Sequence, residues 1–265
     1  MKTAIIILVV LVILVVLAWL GLQVKPKAFK MPSLAKSETK VVPLPEGLPA
    51  PVERFYRTVY GDQIPLIESV VITGHGRMRP FGVWLPARFV MVHNTGKDYR
   101  HYFEATFFGL PFLKVNEGYL DGESFFESPM GTYTNDPNTN QGANLALWAE
   151  GGWFPAIWVT DPRARWQAVD EHTAILFVPF GDQEESFVVR FNPQSGLVEM
   201  MEAMRYKTTS GKNKTLWITN EVQRQGQPAI SYATWLDDGK PWAEFIIDEM
   251  HFNLDVSSYI RARGQ

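Results

Sequence analysis

The chain has no cysteine. A lipid-modified cysteine anchor is therefore excluded, while the redox compartment stays open, because a thiol-free chain suits either. Positive charge is not in excess either: 25 Lys and Arg stand against 28 Asp and Glu, and no basic stripe marks a nucleic-acid partner. No phosphate-binding loop is present, and Gly74-His75-Gly76 lacks the third glycine and the helix of a dinucleotide fingerprint. Ser124, Ser128 and Ser195 lie outside any nucleophile elbow. The five histidines, His75, His93, His101, His172 and His251, are scattered without a metal-ligand spacing. His101 and Glu104, three apart in an expected strand, fall on opposite faces. Neither a metal nor a cofactor is expected.

What the chain has is one long apolar run, AIIILVVLVILVVLAWLGL from Ala4 to Leu22, without a charge. At about 1.5 Å per residue it spans ~28 Å, the hydrocarbon thickness of a bilayer. A cleaved signal peptide has a shorter core and a small-residue cleavage site, whereas here Trp19 and Leu20 interrupt Ala18 and Gly21. Residues 1–23 thus read as an uncleaved transmembrane anchor. Lys25, Lys27 and Lys30 follow the span and only Lys2 precedes it, a bias that favours a cytoplasmic body.

Residues 24–45 mix Lys, Pro and Ser without periodicity and read as a flexible tether, leaving residues 46–265 as a single domain. That domain opens with a helix in LPAPVERFYRTVYGD (Leu48–Asp62). There Val52, Phe55, Tyr56 and Val59 form an apolar stripe, Pro51 suits the first turn, and Gly61 ends it. Strands are expected at Leu66–Thr73, Ala87–His93, Tyr99–Phe108, Lys114–Leu120 and Glu123–Glu127. More follow at Thr173–Val178, Ser186–Phe191, Leu197–Lys207, Leu216–Arg224, Ile230–Leu236 and Ala243–Leu254. Turn chemistry separates them, as in Asn192-Pro193-Gln194-Ser195-Gly196 and Asp237-Asp238-Gly239-Lys240. Asn140–Glu150 interrupts this pattern as a helix ending at Gly151-Gly152, with a short helical piece at Pro155–Val159. About ten antiparallel strands in one sheet tend to curl, and the helices can fill the concave face.

Two features are candidates for a site. Trp148, Trp153, Phe154 and Trp158 surround the helical insertion, and serve either as a lid over an apolar pocket or as a plug in the concavity. Strand Leu197–Lys207 carries Met200, Glu202 and Met204 on one face, either a pliable pocket floor or core. Glu202, if buried, needs a base such as Arg163, Arg165 or Arg190. An enzymatic reading would centre on Asp170, Glu171 and His172, since a histidine beside carboxylates can act as a general base; the same cluster also serves as ordinary ion pairs.

The stretches Leu48–Asp62, Gly152–Ala174 (GWFPAIWVTDPRARWQAVDEHTA) and Val189–Lys207 (VRFNPQSGLVEMMEAMRYK) resemble a family of uncharacterised prokaryotic membrane-anchored proteins. The hairpin RFNPQSGL (Arg190–Leu197) also resembles the periplasmic lipoprotein carriers, whose open half-barrel is covered on its concave side by helices with acyl chains beneath. That resemblance implies an apolar ligand and an extracytoplasmic address, and carries no catalytic residue.

The expected fold is mainly β (α+β): a transmembrane helix followed by a curled antiparallel half-barrel sheet with helices on its concave face. The expected function is binding of a lipid or other apolar ligand in the half-barrel, without catalysis. The alternative is an envelope interaction or scaffold module with a fully packed core.

Overall fold

The computed structural model describes residues 2–262 apart from 81, 207, 225–226 and 236–239. Lys207, Leu236 and three residues of the expected turn at 237–240 therefore lie outside the described residues. Helix α1 (Lys2–Gln23) is apolar on every side, almost wholly exposed, and long enough to cross a membrane. Its length follows from an uninterrupted run of Ile, Leu and Val with no glycine or proline before Gly21.

Residues 24–45, expected as a free tether, are laid along the body. Phe29 is buried against Val71, Val90, Val92, Tyr102 and the C-terminal Leu254, Val256 and Ile260, with Met31 and Leu34 beside it. Lys36 bridges to Leu254, and the Ser37 N–H donates to the Asn253 carbonyl at 2.8 Å. These spaced apolar side chains give an otherwise polar segment something to bury. β1 (Val41–Pro43) then pairs with β2 (Gln63–Pro65) around α2 (Ala50–Val59). In α2, Val52, Phe55 and Tyr56 are buried as the stripe predicts, and the Tyr56 hydroxyl donates to the Pro155 carbonyl at 2.7 Å. Val59, at the last turn, is exposed instead.

One antiparallel sheet of thirteen strands forms the rest. A first meander runs through β3 (Ser69–Met78), β4 (Leu85–Asn94), β5 (Asp98–Phe107), β6 (Leu110–Leu120), β7 (Glu123–Ser128) and β8 (Gly131–Thr134). A second runs through β9 (Arg165–Ala168), β10 (Thr173–Phe180), β11 (Gln183–Phe191), β12 (Val198–Tyr206), β13 (Lys214–Arg224), β14 (Gln227–Trp235) and β15 (Lys240–Phe252). β3 pairs with β15 in the middle, so β8 and β9 are the two edges. The expected runs recur as strands, and the two short edge strands are additions to them.

Between the meanders lie α3 (Pro137–Ala149), a tight 3-10 turn (Glu150–Trp153) and α4 (Ile157–Thr160). Asp136 caps α3 by accepting the Thr139 N–H at 3.0 Å, with Pro137 in the first turn. Residues 141–149 are all buried, the pattern of a core helix. Its two buried amides are satisfied from the sheet. Gln141 Nε2 donates to the Met204 carbonyl at 2.9 Å and Asn144 Nδ2 to the Pro179 carbonyl at 3.0 Å. α3 touches β6 and β7 on one side and β10 and β12 on the other, strands far apart in the sheet, so the sheet curls round it without closing.

Candidate functional site

The concave face holds a buried polar cluster built mostly by one hairpin. β4 and β5 are joined by a short turn, Thr95–Lys97, in which Gly96 takes φ +68°. With side chains alternating along each strand, His93 (β4) and Tyr99 and His101 (β5) all face inward, and Glu117 (β6) lies directly opposite His101. α3 runs down onto them and stops, which delivers the Glu150 carboxylate to the two rings. His101 Nε2 is 2.9 Å from Glu150 Oε2, and His93 Nε2 is 3.1 Å from the same oxygen. The side chains of His93, His101 and Glu150 are wholly buried, and their donor atoms lie within 4.8 Å of one another. His101 Nδ1 is 3.4 Å from Glu117 Oε1.

The charges follow from this packing. Burial works against a charge on His101, but Glu150 and Glu117 outweigh it and lift the ring to about 9. Burial likewise opposes ionisation of Glu150, yet His101 and His93 hold it down at about 2. For His93 burial wins over the pull of Glu150, so its pKa is lowered and the ring stays neutral.

The cluster lies between two cavities. A cavity of about 340 Å³ separates α3 from β5–β8 and β12, and is lined by Tyr99, Glu117, Phe125, Tyr133, Arg205 and Trp242 among others. Gly142 of α3 borders it because a Cβ there would sit 2.8 Å from Arg205 Nε. The Arg205 guanidinium in turn lies 4.7 Å from the Trp217 ring centroid. A smaller cavity of about 90 Å³ is lined by Glu150, Trp153, Val198 and Met201. On the outer side, where α1 ends, a third of about 300 Å³ is lined by Leu22, Lys25, His75, Arg77, Trp84 and Glu244.

The fold separates the aromatic residues singled out in the sequence from the methionine-bearing face of β12. Trp148, Phe154 and Trp158 are fully buried, with Trp158 Nε1 donating to the Trp148 carbonyl at 2.9 Å. Trp153 is half-buried at the small cavity. Met200, Glu202 and Met204 lie on the face of β12 opposite the buried Met201 and Ala203, and are not brought together with the tryptophans. Glu202 accepts from Arg190 Nε at 2.7 Å, one of the three bases considered for it. Asp170, Glu171 and His172 form the turn between β9 and β10. Both carboxylates there are exposed, Asp170 accepts the His172 N–H at 2.8 Å, and none of the three lines the cavities described above. The His93–His101–Glu150 cluster, not expected from the spacing of the histidines, is the one the fold assembles.

Residues 40–245 match a family of unknown function, DUF6544, and the chain belongs to that family. No curated protein matches it. Two solved structures are similar to it in shape. A LolA superfamily protein from Nitrosomonas europaea aligns with 82% of this chain and 99% of its own, at 10% identity and a TM-score of 0.45. A domain described as an outer membrane lipoprotein-sorting protein, from Vibrio parahaemolyticus, aligns with 79% of this chain and 92% of its own, at 10% identity and a TM-score of 0.38. The resemblance in the sequence to an uncharacterised family is thus matched by the family model.

Proposed function

We propose that the chain is a membrane-anchored binding protein that holds an amphipathic molecule of lipid class inside the curled sheet. The observation that carries this is the cavity of about 340 Å³ under α3, within the size range of small-molecule sites. Its aromatic walls (Tyr99, Phe125, Tyr133, Trp242) suit an apolar body, and Glu117 and Arg205 suit a polar end. The ligand is thus less purely apolar than the sequence implies. Of the seven residues first singled out, none lines that cavity, and Trp153 alone lines the smaller one.

Anchoring by α1 draws support from the β5–β6 hairpin. Its tip exposes Phe107, Phe108, Leu110 and Phe112, with Leu110 71% accessible, and packs against the end of α1. The Phe108 N–H donates to the Gly21 carbonyl at 2.9 Å. Four exposed apolar side chains beside the end of a membrane-length helix belong at a bilayer surface. On this reading the helix is retained and the body sits down on the lipid. An extracytoplasmic side suits the ligand class, whereas Lys25, Lys27 and Lys30 favour the opposite one.

The test is native mass spectrometry of the full chain released from detergent, followed by organic extraction and titration with a dansyl-labelled fatty acid. A stoichiometric lipid, and energy transfer from tryptophan to the dansyl group, are expected. Gly142→Leu, which fills the cavity and pushes Arg205 aside, is expected to weaken the probe by at least tenfold in protein that still unfolds cooperatively. A chain that carries no lipid and ignores the probe would leave the scaffold reading in its place.

A further inference from the structure

We infer that His93, His101 and Glu150 form a binding site for a divalent transition-metal ion of the zinc class. Bonds of roughly 2.0–2.2 Å from imidazole nitrogen and carboxylate oxygen to one tetrahedral ion place neighbouring donors about 3.3–3.6 Å apart. The two histidine nitrogens stand 2.9 and 3.1 Å from Glu150 Oε2, so small rotations of the three side chains open the site.

Two further observations point to a ligand. His93 is wholly buried, its Nδ1 has no hydrogen-bond partner, and its Nε2 meets only the Glu150 carboxylate, in poor hydrogen-bond geometry at 3.1 Å. A buried polar group without a well-formed hydrogen bond is destabilising, and a metal ion takes up its Nε2 lone pair. The second is Glu117. It lies 3.4 Å from His101 Nδ1, on the far side of the ring from Glu150. Metal-bound histidines characteristically donate their other N–H to a carboxylate in this way, which fixes the ring and raises its basicity.

The donor set selects the ion. Two imidazoles and one carboxylate, with no thiolate in the chain, suit zinc and its neighbours. Calcium and magnesium require more oxygens than the cluster offers. Glu150 borders the smaller cavity and Glu117 the larger, so solvent space lies on either side of a cluster whose own three side chains are wholly buried. Glu117 belongs to both sites, but none of the three proposed metal ligands lines the larger cavity.

Metal analysis of the full chain purified in detergent, then of protein stripped with chelator and reloaded with zinc or cobalt(II), tests the site. About one zinc per chain is expected, and cobalt(II) is expected to give d–d absorption in the visible. X-ray absorption at the zinc edge is expected to show two imidazoles in the wild-type protein, a readout that needs no variant. Glu150→Gln and His93→Gln are expected to weaken zinc at least 100-fold, and Glu117→Gln by about 10–100-fold with the same ligands retained. Wild-type protein that takes up no ion on reloading would overturn the site. So would zinc held equally tightly by Glu150→Gln and His93→Gln.

Discussion

The side chains of the concave cluster are linked so closely that no one of them can be changed alone. In the metal-free protein His101 is lifted from its ordinary 6.5 to about 9, so its contribution to stability is complete below 6.5 and lost as pH rises through 9. Glu150 is held down from 4.5 to about 2, so its contribution is complete above 4.5 and lost as pH falls through 2. Urea unfolding of chelated protein across pH is therefore expected to show a plateau between 4.5 and 6.5 with losses on both sides. Glu150→Ala leaves a buried imidazolium with only Glu117, and is expected to lower stability by about 3–5 kcal/mol by the same measurement. Half of the cluster can be read from sequence. Once the turn Asn94–Lys97 is recognised, His93, Tyr99 and His101 fall at even spacing about it and share a face. Counting the histidines along the chain hides this, because they are near neighbours only across the hairpin. Glu150 was out of reach, since its place depends on where a helix ends against a sheet.

The elements carry a different lesson. The helix at 137–149 is legible from its lack of strand character and the glycines after it; that it is buried on all sides is not, since Gln141 and Asn144 look like surface residues until strands supply their partners. Asp136→Ala removes its cap, and a loss of about 1 kcal/mol is expected in thermal unfolding. The outward face of β12 shows the limit of alternation. Met200, Glu202 and Met204 share a face as expected, but alternation alone does not say which face turns inward. The apolar tip of β5–β6 suggests its own test. Because the chain has no cysteine, Leu110→Cys gives one thiol for an environment-sensitive dye. In nanodiscs, doxyl-labelled lipids are expected to quench that dye more than one at Gly122, a turn far from the helix end. Equal quenching at both would detach the hairpin from the bilayer.

At the scale of the molecule, two meanders are held round one central helix and joined by one seam. The sequence shows the meanders, because each consecutive pair of strands is bounded by turn residues. The seam stays hidden, because β3 and β15 are separated by the whole body and nothing local announces that they pair. Among the described strands every other neighbouring pair of the large sheet is consecutive in the chain. This arrangement is a ring cut open at one place. The body's own ends meet where Lys36 bridges to Leu254, while its two sheet edges, β8 and β9, are joined only through the helical insertion. A body permuted to begin at β9 and finish with α4, its old ends spliced by a short linker where Lys36 meets Leu254, would bring β15 and β3 to within a few tens of residues of one another. Since folding slows as contacts become more remote in sequence, that permuted chain should reach the same sheet faster, and stopped-flow refolding beside the natural order would measure how much of the folding barrier resides in a single pair of strands.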